Sequence, residues 1–303
     1  MEEKKRQGYE QAVQVLPLRL RQEAMAFPRD QWTRIEELRL RWGQPMTAVL
    51  PDGECPLSRE PVTGQELEQL LELASRASFH TVADQLRRGY LTVEGGHRVG
   101  LCGAAVIRDG ELRGLRHLSS AAIRVARQAV GAARSVSDRL VRREGTLYST
   151  LILAPPGAGK TTLLRDLIRT ASDGEGMVPQ RVGVADERGE VAALWNGQPQ
   201  LEVGKHTDVL EGCPKALALM LLLRSMNPQV LAADEITAPE DVKALISAAG
   251  CGTALLATAH GWDRRDLEER PLYRELMAAG VFRRLVLIRR EGDRRWYEVE
   301  ELL

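Results

Sequence analysis

Aromatic residues and unbalanced charge are scarce in this sequence. The 303 residues include 3 Phe, 5 Tyr and 5 Trp, and 42 Lys and Arg residues balance 42 Asp and Glu residues. Dedicated nucleic-acid binders usually carry a basic field and rings on which bases stack. The neutral composition therefore disfavours DNA or RNA as a partner without excluding one.

Paired cysteines and long apolar runs are missing as well. The cysteines are widely spaced and form no CxxC pair: Cys55, Cys102, Cys213 and Cys251. This spacing argues against a zinc site or a disulfide framework and predicts reduced thiols in a cytosolic protein. The longest apolar run, ALALMLLL at residues 216–223, is far shorter than the roughly 20 residues of a membrane helix. The N-terminal stretch MEEKKRQGYEQAV lacks the apolar segment of a signal peptide. We therefore expect a soluble, cytoplasmic protein without a transmembrane segment.

The apolar pattern changes near residue 143, which predicts two domains that cover residues 1–143 and 144–303. In the first, a helical pattern at 63–78 and a strand–turn–strand pattern at 90–115 predict a smaller α+β domain. In the second, short apolar strands alternate with helices, which is typical of a parallel sheet covered by helices. The last residues predict a hairpin that turns at 291–293. The predicted fold class is α/β.

The stretch LILAPPGAGKTTLLRDLIR, residues 151–169, predicts a phosphate-binding loop between a strand and a helix. Gly157 and Gly159 would let backbone N–H groups converge on a phosphate, and the helix N-terminus adds its dipole. Lys160 is suited to reach the β- and γ-phosphates of ATP, and the Thr161 hydroxyl is suited to bind Mg²⁺. The predicted nucleotide contacts are consecutive: Pro156, Gly157, Ala158, Gly159, Lys160, Thr161 and Thr162. With this loop, the second domain is predicted to be a RecA-like P-loop domain.

Ala154 stands where this loop pattern usually begins with glycine. That glycine only opens the turn, so alanine can replace it if its φ angle is negative. The alternative, a glycine-rich turn with an incidental lysine, is disfavoured by the complete strand–loop–helix pattern.

Two further strand ends carry candidate catalytic residues. PQVLAADE ends in Asp234 and Glu235, which are placed to hold Mg²⁺ through water and to polarise an attacking water, respectively. LLATAHG ends near His260, which would emerge at the same sheet edge and sense the γ-phosphate. A structural histidine at the strand end is the competing interpretation of His260. Because a metabolite kinase does not need the second carboxylate, the pattern favours hydrolysis and assigns catalytic roles to Lys160, Glu235 and His260.

Two charged clusters leave alternatives open. VADERGE brings Asp186 and Glu187, which are suited to a metal's water shell, together with Arg188, which is suited to act in the site or across a subunit boundary. A solvated charge cluster at a helix start explains these residues equally well. Arg124 and Arg127 precede the second domain and are candidates for phosphate contact, but a solvated helix face is an equal alternative.

Several segments together resemble one family. APPGAGKTT, VADERGE, LLLRSMNPQVLAADEI and LLATAHG match, in order, the phosphate loop, acidic box, Walker B strand and histidine box of secretion-type ATPases. ELRLRWGQPM, LRRGYLTVEGGHRVGLCG, SSAAIRVAR and TDVLEGCPKALALMLLLRSM resemble the stage III sporulation protein AA family more closely. The resemblance covers nearly the whole chain. One departure is Thr237, where that family usually has glycine after the catalytic pair.

The resemblance implies an ATPase that uses ATP and Mg²⁺. It implies a ring-shaped homo-oligomer, commonly a hexamer, at the mother-cell side of the membrane around a developing endospore. Its partners would be membrane proteins of a channel complex, and its activity would energise assembly of that complex or transport through it. Two alternatives remain: a nucleotide-gated scaffold with little hydrolysis, and a RecA-like nucleic-acid translocase.

Overall fold

The computed structural model describes residues 2–75, 89–108, 110–291 and 294–302. In chain order the α-helices of this part are α1 Glu2–Ala12, α2 Leu18–Met25, α3 Gly64–Ala74, α4 Lys160–Asp173, α5 Lys215–Ser225, α6 Pro239–Gly250, α7 Arg264–Glu269 and α8 Pro271–Ala278. The strands are β1 Glu37–Arg41, β2 Pro45–Leu50, β3 Gly53–Pro61, β4 Tyr90–Thr92, β5 Arg98–Arg108, β6 Glu111–Arg124, β7 Thr150–Ala154, β8 Val182–Asp186, β9 Leu194–Trp195, β10 Gln198–Pro199, β11 Thr207–Glu211, β12 Val230–Ala233, β13 Ala254–His260, β14 Arg284–Glu291 and β15 Arg294–Glu301.

The chain divides into two compact units, and the division differs from the predicted boundary near residue 143. Unit 1 comprises Met1–Gln128 and Ala193–Leu201, and unit 2 comprises Ala129–Ala192 and Glu202–Leu303. The residues that follow Gln128 are joined to unit 2 by hydrogen bonds: the N–H groups of Gly131 and Ala133 donate to the Asp166 carboxylate at 3.0 and 2.7 Å. The apolar pattern carries no trace of this side-chain anchor.

Unit 1 is built on an antiparallel sheet with the strand order β3-β2-β1-β6-β5-β4. Its core includes Tyr9, Trp32 and Leu38, all nearly fully buried. Helix α3 begins with a capping box in which Thr63 and Glu66 satisfy each other's backbone N–H groups. The predicted α+β character is confirmed, although positions 76–78 of the predicted helix and position 109 of the predicted strand–turn–strand segment lie outside the described residues.

A buried histidine makes the stability of unit 1 depend on pH. His97 is fully buried, and its Nδ1 accepts a hydrogen bond from the Ala126 N–H at 3.0 Å. Burial lowers the pKa of His97 from 6.5 to about 4. Between these values the unfolded chain binds a proton that the folded chain does not, so stability falls as the pH falls through this window.

We expect the free energy of unfolding to decrease by up to about 3 kcal/mol between pH 7 and pH 4 because of His97 alone. Urea unfolding of the wild type and of His97→Gln at both pH values measures this share, because glutamine keeps an acceptor and does not titrate. Equal pH dependence in the two proteins would contradict the assignment.

Unit 2 is built on a sheet with the order β11-β8-β12-β13-β7-β14-β15. All neighbouring pairs from β11 to β14 are parallel, and β15 pairs antiparallel with β14. Helices α5, α6 and α8 share an apolar core with Leu151 and Leu153 of β7, while α4 contacts β7 and β13. The predicted parallel sheet flanked by helices is confirmed, as is the C-terminal strand pair, whose turn residues 292–293 lie outside the described part. Within the described ranges, no helix is long and apolar enough to cross a membrane.

Candidate nucleotide-binding and hydrolytic site

The phosphate loop connects β7 to α4 in unit 2. Ala154 is the last residue of β7 and does not adopt a positive φ, so alanine fits this position without strain, as expected. Gly157 and Gly159 have φ angles of +72° and +97°, which glycine adopts at no steric cost. Helix α4 begins at Lys160, so its unpaired N–H groups open toward the loop. The remaining predicted contacts, Pro156, Ala158, Thr161 and Thr162, lie in the loop and the first turn of α4.

Lys160 is buried beneath this loop. Its Nζ donates to the carbonyl oxygens of Ala154 and Pro155 at 2.9 and 3.0 Å and lies 2.9 Å from His260 Nδ1. Burial lowers the pKa of Lys160, and the nearby carboxylates of Asp234 and Glu235 only partly oppose this. The cation therefore sits at the base of the loop, where a bound phosphate would need it.

Asp234 directly follows β12 and lies against the start of α4. The Thr161 hydroxyl donates to Asp234 Oδ2 and the Thr258 hydroxyl donates to Asp234 Oδ1, both at 2.6 Å. A carboxylate beside a hydroxyl is a hard oxygen donor set, and Mg²⁺ typically takes one or two such protein ligands while keeping waters and substrate phosphates. Thr161 and Asp234 therefore fit a Mg²⁺ site. Thr258 was not among the predicted residues.

Glu235 is held in the left-handed region, with φ of +55°, which is uncommon for a non-glycine residue. His260 Nε2 lies 2.6 Å from one carboxylate oxygen, Arg188 donates to the other at 2.6 Å, and Lys215 donates to the backbone carbonyl at 2.6 Å. Burial raises the pKa of Glu235, but the hydrogen bond with His260 and the charges of Arg188 and Lys215 outweigh burial and lower it. The carboxylate is therefore ionised at neutral pH.

Lys215, at the start of α5, is a site residue that sequence reasoning missed. Its side chain is only 5% exposed and lies 3.5 Å from a Glu187 carboxylate oxygen and 3.6 Å from one of Asp241. Asp241 in turn accepts from the N–H groups of Thr237 and Ala238. Thr237 has no positive φ, so the turn after Glu235 does not require the family's glycine. The only sequence signal for Lys215 is a lone lysine at the head of an apolar helix.

Asp186 is one of the residues predicted to hold the metal's water shell. Both of its carboxylate oxygens accept hydrogen bonds from backbone N–H groups. It accepts from the N–H groups of Glu190, Val191 and Ala192 at 2.8 to 3.2 Å and is almost fully buried. Burial raises the pKa of Asp186 although these hydrogen bonds oppose it. The geometry indicates that Asp186 shapes the turn that presents Arg188.

We expect Asp186→Ala to lower the free energy of unfolding by about 3 kcal/mol or more, because two buried N–H groups and one partly buried N–H group lose a charged acceptor. Thermal unfolding of the ligand-free protein measures this, with Asp208→Ala on neighbouring β11 as the control. A variant that melts like the wild type but loses Mg²⁺-dependent nucleotide binding would instead place Asp186 in the metal's water shell.

Arg124 and Arg127 belong to unit 1 and find partners there. Arg124 Nε lies 3.3 Å from a Glu37 carboxylate oxygen, and Arg127 donates to the Ile35 carbonyl at 2.8 Å. Burial lowers the pKa of Arg127, and Glu36 partly opposes this. These contacts within unit 1 give both side chains a structural role. Their predicted phosphate contact stays a prediction.

Comparisons with known proteins bear on this site. A family model described as "Sporulation stage III, protein AA" matches residues 3–297. The Stage III sporulation protein AA of Bacillus subtilis (strain 168) is 40% identical over 281 residues, covering 92% of this chain and 91% of that protein. The Legionella pneumophila ATPase DotB superposes with a TM-score of 0.57 at 14% identity, covering 88% of this chain and 76% of the DotB chain. The pilus retraction motor PilT, solved with bound ADP, gives 0.61 at 16% identity, covering 88% and 79%. At such low sequence identity, the similarity to these two structures shows a shared fold and nothing further.

Proposed function

Because the chain belongs to the stage III sporulation protein AA family, we propose that it is the ATP-hydrolysing member of a sporulation complex. The proposal combines a family with a sporulation role, the fold of secretion ATPases and a site with hydrolytic geometry. ATP is the substrate, and water is the acceptor of the γ-phosphoryl group.

One observation carries the proposal: a hydrogen-bonded chain links the loop lysine to an ionised carboxylate. Lys160 Nζ lies 2.9 Å from His260 Nδ1, and His260 Nε2 lies 2.6 Å from Glu235. A group that binds phosphate is thus connected, through one imidazole ring, to a group able to accept a proton. A binding module without chemistry has no need for this connection.

In the proposed reaction a water molecule attacks the γ-phosphorus as the bond to the β–γ bridging oxygen breaks, and the products are ADP and inorganic phosphate. Glu235 orients the water and accepts its proton, while Lys160 and the loop N–H groups stabilise the negative phosphate oxygens. Thr161 and Asp234 would hold Mg²⁺, which when bound neutralises charge on the phosphate oxygens. Arg188 and His260 keep the Glu235 side chain in place.

The finer assignments follow from the family and from the names of the structural relatives. We propose a ring-shaped homo-oligomer, a hexamer in the manner of secretion motors, that docks peripherally on a membrane complex at the cytoplasmic, mother-cell side. Hydrolysis would energise assembly of, or transport through, that channel complex.

Phosphate release by the purified chain with ATP tests the proposal, with and without Mg²⁺ and with and without single-stranded DNA. We expect Mg²⁺-dependent hydrolysis that DNA does not stimulate, together with a larger mass in solution when ATP is present. Strong stimulation by DNA would instead support the nucleic-acid translocase. Tight ATP binding without turnover, in the oligomer as well, would support the nucleotide-gated scaffold.

A further inference from the structure

An arginine from the last strand lies on the phosphate loop. A Cβ atom at Gly159 would be 2.6 Å from Nη1, 3.0 Å from Cζ and 3.3 Å from Nη2 of Arg295. These separations are shorter than van der Waals contact, so the guanidinium fills the space that the missing side chain leaves. The glycine that precedes Lys160 thus provides a left-handed turn and also room for a cation from β15.

The hairpin of β14 and β15 holds this cation in position. Side chains alternate along a strand, so Arg295 and Tyr297 share one face of β15. Burial raises the pKa of Tyr297, and Arg295 partly opposes this. Tyr297 is partly buried on this face, and the exposed Arg295 lies next to Gly159.

The charges around Arg295 indicate an anionic ligand. Arg290 of β14 is directly opposite Arg295 in the register, and like charges at such a position repel. Arg290 also lines a cleft of about 560 Å³ together with Pro155, Gly157 and Ala158 of the loop. Arg290 and Arg295 are therefore paired across the hairpin that borders the phosphate loop.

We propose that Arg295 is a phosphate-binding residue that contacts the polyphosphate of the nucleoside triphosphate held by the loop. This inference rests on the proposed function and adds a cation from the same subunit, distinct from Arg188 at Glu235 and from the unit 1 arginines. The planar guanidinium can donate two parallel hydrogen bonds to phosphate oxygens, which a lysine at this position cannot do.

Titration calorimetry with Mg²⁺–ATP tests the proposal on the full chain, with wild type, Arg295→Ala and Arg295→Lys compared. We expect Arg295→Ala to bind ATP about 10- to 100-fold more weakly, since charged hydrogen bonds to phosphate are lost. Arg295→Lys should give an intermediate loss because it keeps the charge without the fork. The control is Arg294→Ala, an exposed neighbour on the opposite face of β15, which should bind as the wild type does.

A second readout separates ligand binding from bracing of the loop. The melting temperature without nucleotide should be the same for Arg295→Lys and wild type, while the increase caused by ATP should be smaller in the variant. This comparison decides the question even if Arg295→Ala does not fold.

Wild-type ATP affinity in both Arg295 variants would overturn the inference and leave the proposed hydrolase intact. A lower melting temperature of Arg295→Lys in the absence of ATP, with no change in ATP affinity, would assign a bracing role instead. Failure of the wild type to bind ATP would contradict the proposed function, and the inference would fall with it.

Discussion

Glu235→Gln should retain ATP binding and lose turnover by a factor of about 10² to 10⁴, the range typical for removal of a general base. Glutamine has the same shape, and its amide oxygen can still accept a hydrogen bond from His260. It cannot take up the proton that water releases during attack. The lowered pKa of Glu235 indicates that the wild-type carboxylate is ready to do so at neutral pH. Phosphate release at saturating ATP measures the loss.

The control for this experiment is Glu240→Gln, which removes an exposed carboxylate from the first turn of α6. It should hydrolyse ATP at close to the wild-type rate. ATP affinity, measured by titration, should remain within a few-fold of wild type in both variants. If Glu235→Gln turns ATP over as fast as wild type does, Glu235 is not the base. That result would not support the scaffold alternative either, because both proteins would still hydrolyse ATP.

Lys160→Ala should weaken ATP binding about 100-fold, because charged hydrogen bonds to phosphate are each worth roughly 1.5–3 kcal/mol. The lysine is 7% exposed and already donates to two loop carbonyls, so its position is fixed before any ligand arrives. A pre-positioned cation loses little conformational entropy on binding. The variant therefore loses affinity rather than only the catalytic step, which distinguishes it from Glu235→Gln.

Titration with Mg²⁺–ATP measures this effect, and Lys243→Ala on the exposed face of α6 is the matched control. The control should bind ATP with the wild-type Kd. Unchanged affinity in Lys160→Ala would mean that nucleotide, if bound, lies elsewhere, and the assignment of the loop would be wrong.

The parts of unit 2 that could be predicted are those whose signal is local. One short segment contains β7, the glycine loop and the start of α4, so its residue pattern alone predicted the strand–loop–helix arrangement. Asp234 and His260 were predicted to lie close to the loop because parallel strands end at one sheet edge, and the structure brings both there. Their catalytic roles remain predictions.

What escaped prediction depends on contacts between residues far apart in the sequence. Lys215 and Thr258 meet Asp234 and Glu235 only after the sheet has formed. Both stand in segments that match the family, but neither is the residue type that suggests chemistry in those segments. Arg295 is 136 positions after Gly159 in this numbering and was one of many arginines near the C-terminus. The edge strand β11 was missed because its residues are all partly exposed, which leaves no apolar run to read.

At Glu235 the backbone conformation that would favour stability with glycine conflicts with the carboxylate that the proposed function needs. A glycine would adopt φ of +55° without strain, so stability alone would favour glycine there. The chain instead has a glutamate that the conformation disfavours; His260 and Arg188 hold its carboxylate, and Lys215 holds its backbone carbonyl. Selection for a higher melting temperature alone is therefore expected to favour glycine at position 235, which would remove the proton acceptor of the proposed hydrolysis.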